Sequence, residues 1–66
     1  DSAIAECRAA VRASARDVQA RINLGLLLSQ YGDPEEARLH LREAVRLAPF
    51  DTTARGALQR FEARSH

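Results

Sequence analysis

Apolar and small residues recur at helical spacing through most of this 66-residue chain, and short polar segments interrupt them. The pattern predicts an all-α fold with no sheet and four helices, at about residues 2–14, 18–31, 34–48 and 52–64. The larger apolar residues of the two middle helices are the expected core: Leu24, Leu28, Leu41, Val45 and Leu47. Small residues are expected where helix axes approach closely: Ala3, Ala10, Gly25, Ala37 and Ala44.

The predicted helix starts have the residues that cap helices. Asp33 offers a hydrogen-bond acceptor ahead of the third helix, Pro34 fits its first position, and Glu36 fits its third. Asp17 and Asp51 precede the second and fourth helices in the same way. These signals support the predicted boundaries independently of the apolar pattern.

Helix 18–31 has apolar residues on two opposite sides. With Leu24 as the reference and about 100° per residue, the expected core stripe lies within roughly 60°, at Ala20, Leu27, Leu28 and Tyr31. Ile22 and Leu26 fall at roughly 160° and 200°, on the opposite side. Since one stripe is enough to pack a helix on its core, we expect the second to bind a partner, or to be covered by a neighbouring unit or a second copy of the chain.

The sequence also repeats at an offset of 34 residues, with nine identities in the 32 overlapping pairs (66 minus 34). The first members of the identical pairs are Ala3, Arg8, Ala10, Val11, Arg12, Asp17, Ala20, Arg21 and Leu24. A fixed period in this range is typical of repeat architectures, in which each unit buries its apolar face by stacking on its neighbours.

Residues 18–51 resemble a tetratricopeptide repeat (TPR), a helix–turn–helix unit of the same period. The matching positions are Leu24-Gly25, Leu28 in an aromatic position, Ala37 with Leu41, Ala44, and the closing Pro49. Arg21 departs from the pattern, because the family has Trp or another large apolar residue there. Residues 1–17 resemble the second helix of a preceding unit, and residues 52–66 the first helix of a following unit or a capping helix. The resemblance implies an α-solenoid fragment.

The resemblance also implies a function, because first helices of successive TPR units line a groove that binds peptides or partner helices. The expected partner-binding residues of helix 18–31 are Gln19, Ile22, Asn23, Leu26 and Gln30. Asn23 occupies a position where the family often has a ligand-binding asparagine. Ile22 and Leu26 replace the basic residues of carboxylate-binding members, so a hydrophobic peptide or an amphipathic helix is expected rather than an acidic C-terminal peptide.

The composition limits the classes of partner that we expect. All ten basic residues are arginine, nine residues are acidic, and the net charge is +1. Arginine stripes on two helices are expected to be solvated faces, and no nucleic-acid partner is expected, because the acidic residues nearly balance the arginines and only three aromatics could stack on bases. No membrane partner is expected, since no apolar run exceeds three residues. The single cysteine, Cys7, is expected in the core and slightly favours the cytoplasm over an oxidising compartment.

Catalytic groups are sparse. His40 and His66 belong to no nucleophile or metal motif, and Glu36 with His40 provides only two ligands, so we expect no catalytic, cofactor or metal site. The sequence therefore favours a protein-interaction module. Two alternatives stay open: a self-association module, and an accessory repeat of a larger enzyme. Because repeat arrays usually need about three units, the chain is expected either to belong to a longer solenoid or to complete itself as a homo-oligomer.

Overall fold

The structure is a computed structural model that describes residues 2–64. Asp1, Ser65 and His66, at the ends of the first and last predicted segments, lie outside the described residues. The helices are α1 Ser2–Ala13, α2 Val18–Tyr31, α3 Pro34–Leu47 and α4 Thr52–Arg64, and no strand occurs within residues 2–64. The predicted all-α class and the four helices are confirmed, with every described boundary within one residue of its predicted position.

Aspartate side chains begin three of the helices as predicted. Asp17 accepts a hydrogen bond from the backbone N–H of Ala20 at 3.0 Å, ahead of α2. Asp33 accepts one from the N–H of Glu35 at 2.9 Å, ahead of α3. Asp51 accepts from the first turn of α4, with the nearest nitrogen at 2.9 Å. Each cap supplies a partner to a backbone donor that has none within its own helix.

Helix α2 lies at the centre of the described fold, because it packs against α1, α3 and α4. Helix α3 also packs against α4, whereas α1 approaches the backbone of α2 alone among the described helices. The buried core draws on α2, α3 and α4: Ile22, Leu24, Leu28, Ala37, Leu41, Ala44, Ala54, Ala57 and Phe61. Cys7, which was expected in the core, is half-buried and packs against this cluster without belonging to it.

The approach of α2 to α3 depends on a glycine. A Cβ atom built on Gly25 would lie 2.6 Å from Cγ of Leu41 and 3.3 Å from the carbonyl oxygen of Ala37. Both distances are shorter than an ordinary van der Waals contact, and both neighbouring residues are fully buried. The predicted role of Gly25 at the close approach of these helices is therefore confirmed.

The structure bears on two predictions about α2. The stripe with Ile22 was expected either to bind a partner or to be covered by a neighbouring unit. Ile22 is 1% exposed and belongs to the same buried cluster as Ala54, Ala57 and Phe61 of α4, so it is covered, and its expected role in partner binding is wrong. The reason is that α4 packs on the side of α2 that an α2–α3 pair alone would leave open. Tyr31, which was expected in the core stripe, is 68% exposed because α2 ends there.

Candidate functional site

An open groove of about 600 Å³ lies between α2, α3 and α4. Each helix contributes three lining residues: Leu26, Ser29 and Gln30 from α2, Pro34, Glu35 and Arg38 from α3, and Arg60, Phe61 and Arg64 from α4. The two-residue connection between α2 and α3 places the last turns of α2 beside the first turn of α3. These nine residues are called the groove below.

The groove has an apolar component that packing holds in place. Leu26 packs against the core cluster while remaining half-buried, and Phe61 is only 7% exposed. The guanidinium carbon of Arg38 lies 5.8 Å from the centroid of the Phe61 ring, which is a cation–π distance. The Nε atom of Arg38 is buried and has no hydrogen-bond partner among the described residues. The ring therefore helps to fix an arginine that still has an unsatisfied donor.

The charges of the groove are unbalanced, because it contains three arginines and one carboxylate, that of Glu35. Arg60 and Arg64 are exposed, and Nε of Arg60 donates to the carbonyl oxygen of Gly56, one turn earlier in its own helix, at 3.4 Å. Within residues 2–64, none of the three groove arginines forms an ion pair. The groove is therefore a cationic surface with apolar residues beside it.

The five residues predicted to bind a partner follow one face of α2, but only two of them line the groove. Leu26 and Gln30 line the groove, whereas Gln19, Ile22 and Asn23 do not. The side chains of Gln19 and Asn23 are hydrogen-bonded to each other at 3.2 Å on the exposed side of α2. Ile22 is buried under its own chain and offers no surface to a partner.

Sequence reasoning missed the contributions of α3 and α4 to this groove. The prediction considered one helix, so Arg38, Arg60, Phe61 and Arg64 were not among the expected binding residues. One sequence signal was present for two of them: Arg60 and Arg64 lie 34 residues after Leu26 and Gln30, the two predicted residues that do line the groove. The interaction of Arg38 with Phe61 has no comparable signal, since it depends on how α3 packs against α4.

A second cluster of charged residues joins α1 to α3. Arg8 forms a bidentate ion pair with Glu36, one contact of which measures 3.0 Å. Nε2 of His40 lies 3.4 Å from the same carboxylate, and Nδ1 of His40 lies 3.3 Å from the guanidinium of Arg21. The hydrogen bond from Arg8 lowers the pKa of the Glu36 carboxyl, and His40 lowers it further.

This cluster has a structural explanation. The carboxylate of Glu36, which the sequence offered as one of two metal ligands, is already engaged by Arg8. Among residues 2–64 there is no group of three or more His, Cys, Asp or Glu side chains that could hold a metal ion. We therefore assign the cluster to the packing of α1 against the α2–α3 pair.

The described helices include none with the length and apolarity needed to cross a membrane.

The arginine stripe of α3 is solvated at Arg42 and Arg46, as expected, and its members also interact with other side chains of the chain. Arg42 pairs with Glu62 of α4 at 3.7 Å, Arg46 pairs with Glu43, and Arg38 lies over Phe61.

Comparison of the chain with family models, curated proteins and solved structures finds no match. Any function therefore has to be argued from the groove itself.

Proposed function

We propose that this chain is a protein-interaction module that binds a segment of a partner protein in the groove. The observation that carries the proposal is the construction of the groove from three helices, with half-buried Leu26 and the Arg38–Phe61 pair beside exposed polar side chains. Concave surfaces with apolar contacts and a few polar groups are the usual sites of peptide recognition.

We also propose that the helices form a TPR-type array, with residues 18–51 as one unit. Residues one period apart have similar environments, which supports this arrangement. Ala20 and Ala54 are both buried, and Asp17 and Asp51 both accept backbone N–H groups at the start of a helix. In such an array α2 and α4 are successive first helices, and both line the groove.

In this proposal the chain binds and does not catalyse. His40 is the only histidine in the described residues, and Glu36 and Arg21 hold it from both ring nitrogens. Self-association has less support than the sequence suggested, because Ile22 is covered by the chain's own helices. The large apolar side chains that are exposed, Tyr31, Leu39 and Phe50, lie outside the groove.

Panning a random peptide display library against the chain tests the proposal. The blocking variant is Gln30→Trp, which adds bulk at an exposed position in the groove, and the matched control is Gln59→Trp, at an exposed glutamine of α4 outside the groove. We expect enriched peptides that bind wild type and Gln59→Trp alike but bind Gln30→Trp at least about tenfold more weakly. Peptides that bind both variants equally, or no enrichment at all, would refute binding in the groove. Light scattering of the free chain tests self-association separately.

A further inference from the structure

We infer that the groove selects an acidic partner segment in which an apolar side chain lies next to two or more carboxylates. The inference rests on the proposed function. It differs from the sequence expectation of a hydrophobic peptide or an amphipathic helix, which set aside an acidic C-terminal peptide because Ile22 and Leu26 replace basic residues. That expectation considered α2 alone. The positive charge of the groove comes from α3 and α4, through Arg38, Arg60 and Arg64.

The first argument is the distribution of carboxylates within the chain. Glu36, Glu43 and Glu62 are paired with arginines outside the groove. The aspartates that precede α2, α3 and α4 are used as helix caps. The groove therefore contains three arginines and one carboxylate, that of Glu35, and an anionic partner would supply the missing negative charge.

The second argument is the chemistry of the arginine side chain. A guanidinium presents its donors in a planar fork that matches a carboxylate with two parallel hydrogen bonds. Arg60 and Arg64 are exposed and one helical turn apart on α4, so both are accessible to one bound segment. Leu26 and Pro34 line the same groove and give an apolar partner side chain a surface to contact.

A nucleic acid is the other polyanion that arginines could bind, but the groove does not favour it. Recognition of single strands relies on aromatic rings whose faces are open to stacking bases. Phe61 is the only aromatic residue in the groove, it is 7% exposed, and Arg38 already lies over its ring. The apolar contacts at Leu26 and Pro34 suit an amino-acid side chain better than a phosphodiester backbone.

The test uses the peptides enriched by panning, prepared with blocked termini so that only side-chain carboxylates are present. We expect them to contain at least two Asp or Glu residues beside an apolar residue. Replacing those residues by Asn and Gln should weaken binding at least about tenfold, and raising the salt concentration should weaken binding of the acidic form only.

Two double variants test whether the effect of charge on peptide binding comes from the groove arginines. Arg60→Gln with Arg64→Gln removes two groove arginines, and Arg16→Gln with Arg55→Gln removes two exposed arginines outside the groove, so net charge changes equally. We expect the groove pair to weaken acidic peptide binding by about two- to thirtyfold, and the control pair by less than about twofold. Circular dichroism of both double variants checks that the helical fold is retained.

Each alternative result has a defined meaning. Enriched peptides that Gln30→Trp blocks but that show no preference for Asp or Glu would overturn this inference and leave the proposed function intact. If both double variants weaken peptide binding equally, the peptides are attracted by the net charge of the chain alone, and this result also overturns the inference. If a single-stranded oligothymidylate displaces the peptides and binds more tightly, the partner is a nucleic acid. If no peptide depends on the groove, the proposed function fails and this inference fails with it.

Discussion

A methyl group added at Gly25 has no room between α2 and α3, whereas one added at Gly56 does. The Cβ of an alanine at position 25 would lie 2.6 Å from Cγ of Leu41, and Leu41 is fully buried. At position 56, in the middle of α4, no heavy atom lies within 4 Å of the added Cβ. Both substitutions gain helix propensity of about 1 kcal/mol, so the comparison isolates the packing effect.

Overpacking of a core typically costs about 1–3 kcal/mol. After the propensity gain, Gly25→Ala should lower the free energy of unfolding by about 0–2 kcal/mol, whereas Gly56→Ala should raise it by about 1 kcal/mol. For a domain of this size, each kcal/mol corresponds to about 4–8 °C in melting temperature. Thermal and urea unfolding followed by circular dichroism at the helical minimum measures both changes.

The difference between the free-energy changes of Gly25→Ala and Gly56→Ala tests the close approach of α2 and α3. If Gly25→Ala stabilises the chain as much as Gly56→Ala does, then α2 and α3 do not approach as the structure shows. Gly25→Leu extends the series, because its larger side chain should produce a larger loss than alanine does. A neutral Gly25→Leu would be incompatible with buried Leu41 and Ala37 beside it.

Two further predictions concern the core and the charge cluster. Ile22→Val should lower the free energy of unfolding by about 0.5–1.5 kcal/mol, because Ile22 is 1% exposed. Leu39→Val, at a 68% exposed position, is the control and should change it by less than about 0.5 kcal/mol. Equal shifts of the melting temperature for the two variants would place Ile22 outside the core. Arg8 lowers the pKa of Glu36 below its ordinary 4.5, so this carboxylate contributes stability above that pH and loses the contribution as pH falls through the lowered pKa. Glu36→Gln should therefore flatten the acid limb of a stability–pH profile, and an unchanged limb would show that the pair with Arg8 is not formed in solution.

The helices could be predicted from the sequence because their limits are set by local chemistry. An aspartate ahead of each of the last three helices satisfies backbone donors within the next three residues, whatever the rest of the chain does. The close contact at Gly25 was also predictable. A glycine inside an apolar helix, facing small residues on the next helix, indicates an approach of backbones rather than a turn.

The buried side of Ile22 could not be predicted from α2 alone. A helical wheel shows which sides of a helix are apolar, but it does not show how many neighbours the helix has. Helix α2 has three neighbours, so it needs apolar residues around more of its circumference than a helix with a single partner. Its second apolar stripe therefore includes Ile22, which packs within the chain, and Leu26, which lies partly in the core and partly in the groove.

The chemistry of the groove depends on comparing positions one period apart rather than on any single helix. Leu26 and Gln30 of α2 are neutral, and on α2 alone they indicate a neutral binding surface. The residues 34 positions later are Arg60 and Arg64, which line the same groove from α4. In the proposed array, equivalent positions of adjacent units thus have different side chains, and a partner bound in the groove would contact both. The binding preference of such a surface is therefore a property of adjacent helices taken together, which is why an apolar stripe on α2 is compatible with selection of an acidic segment.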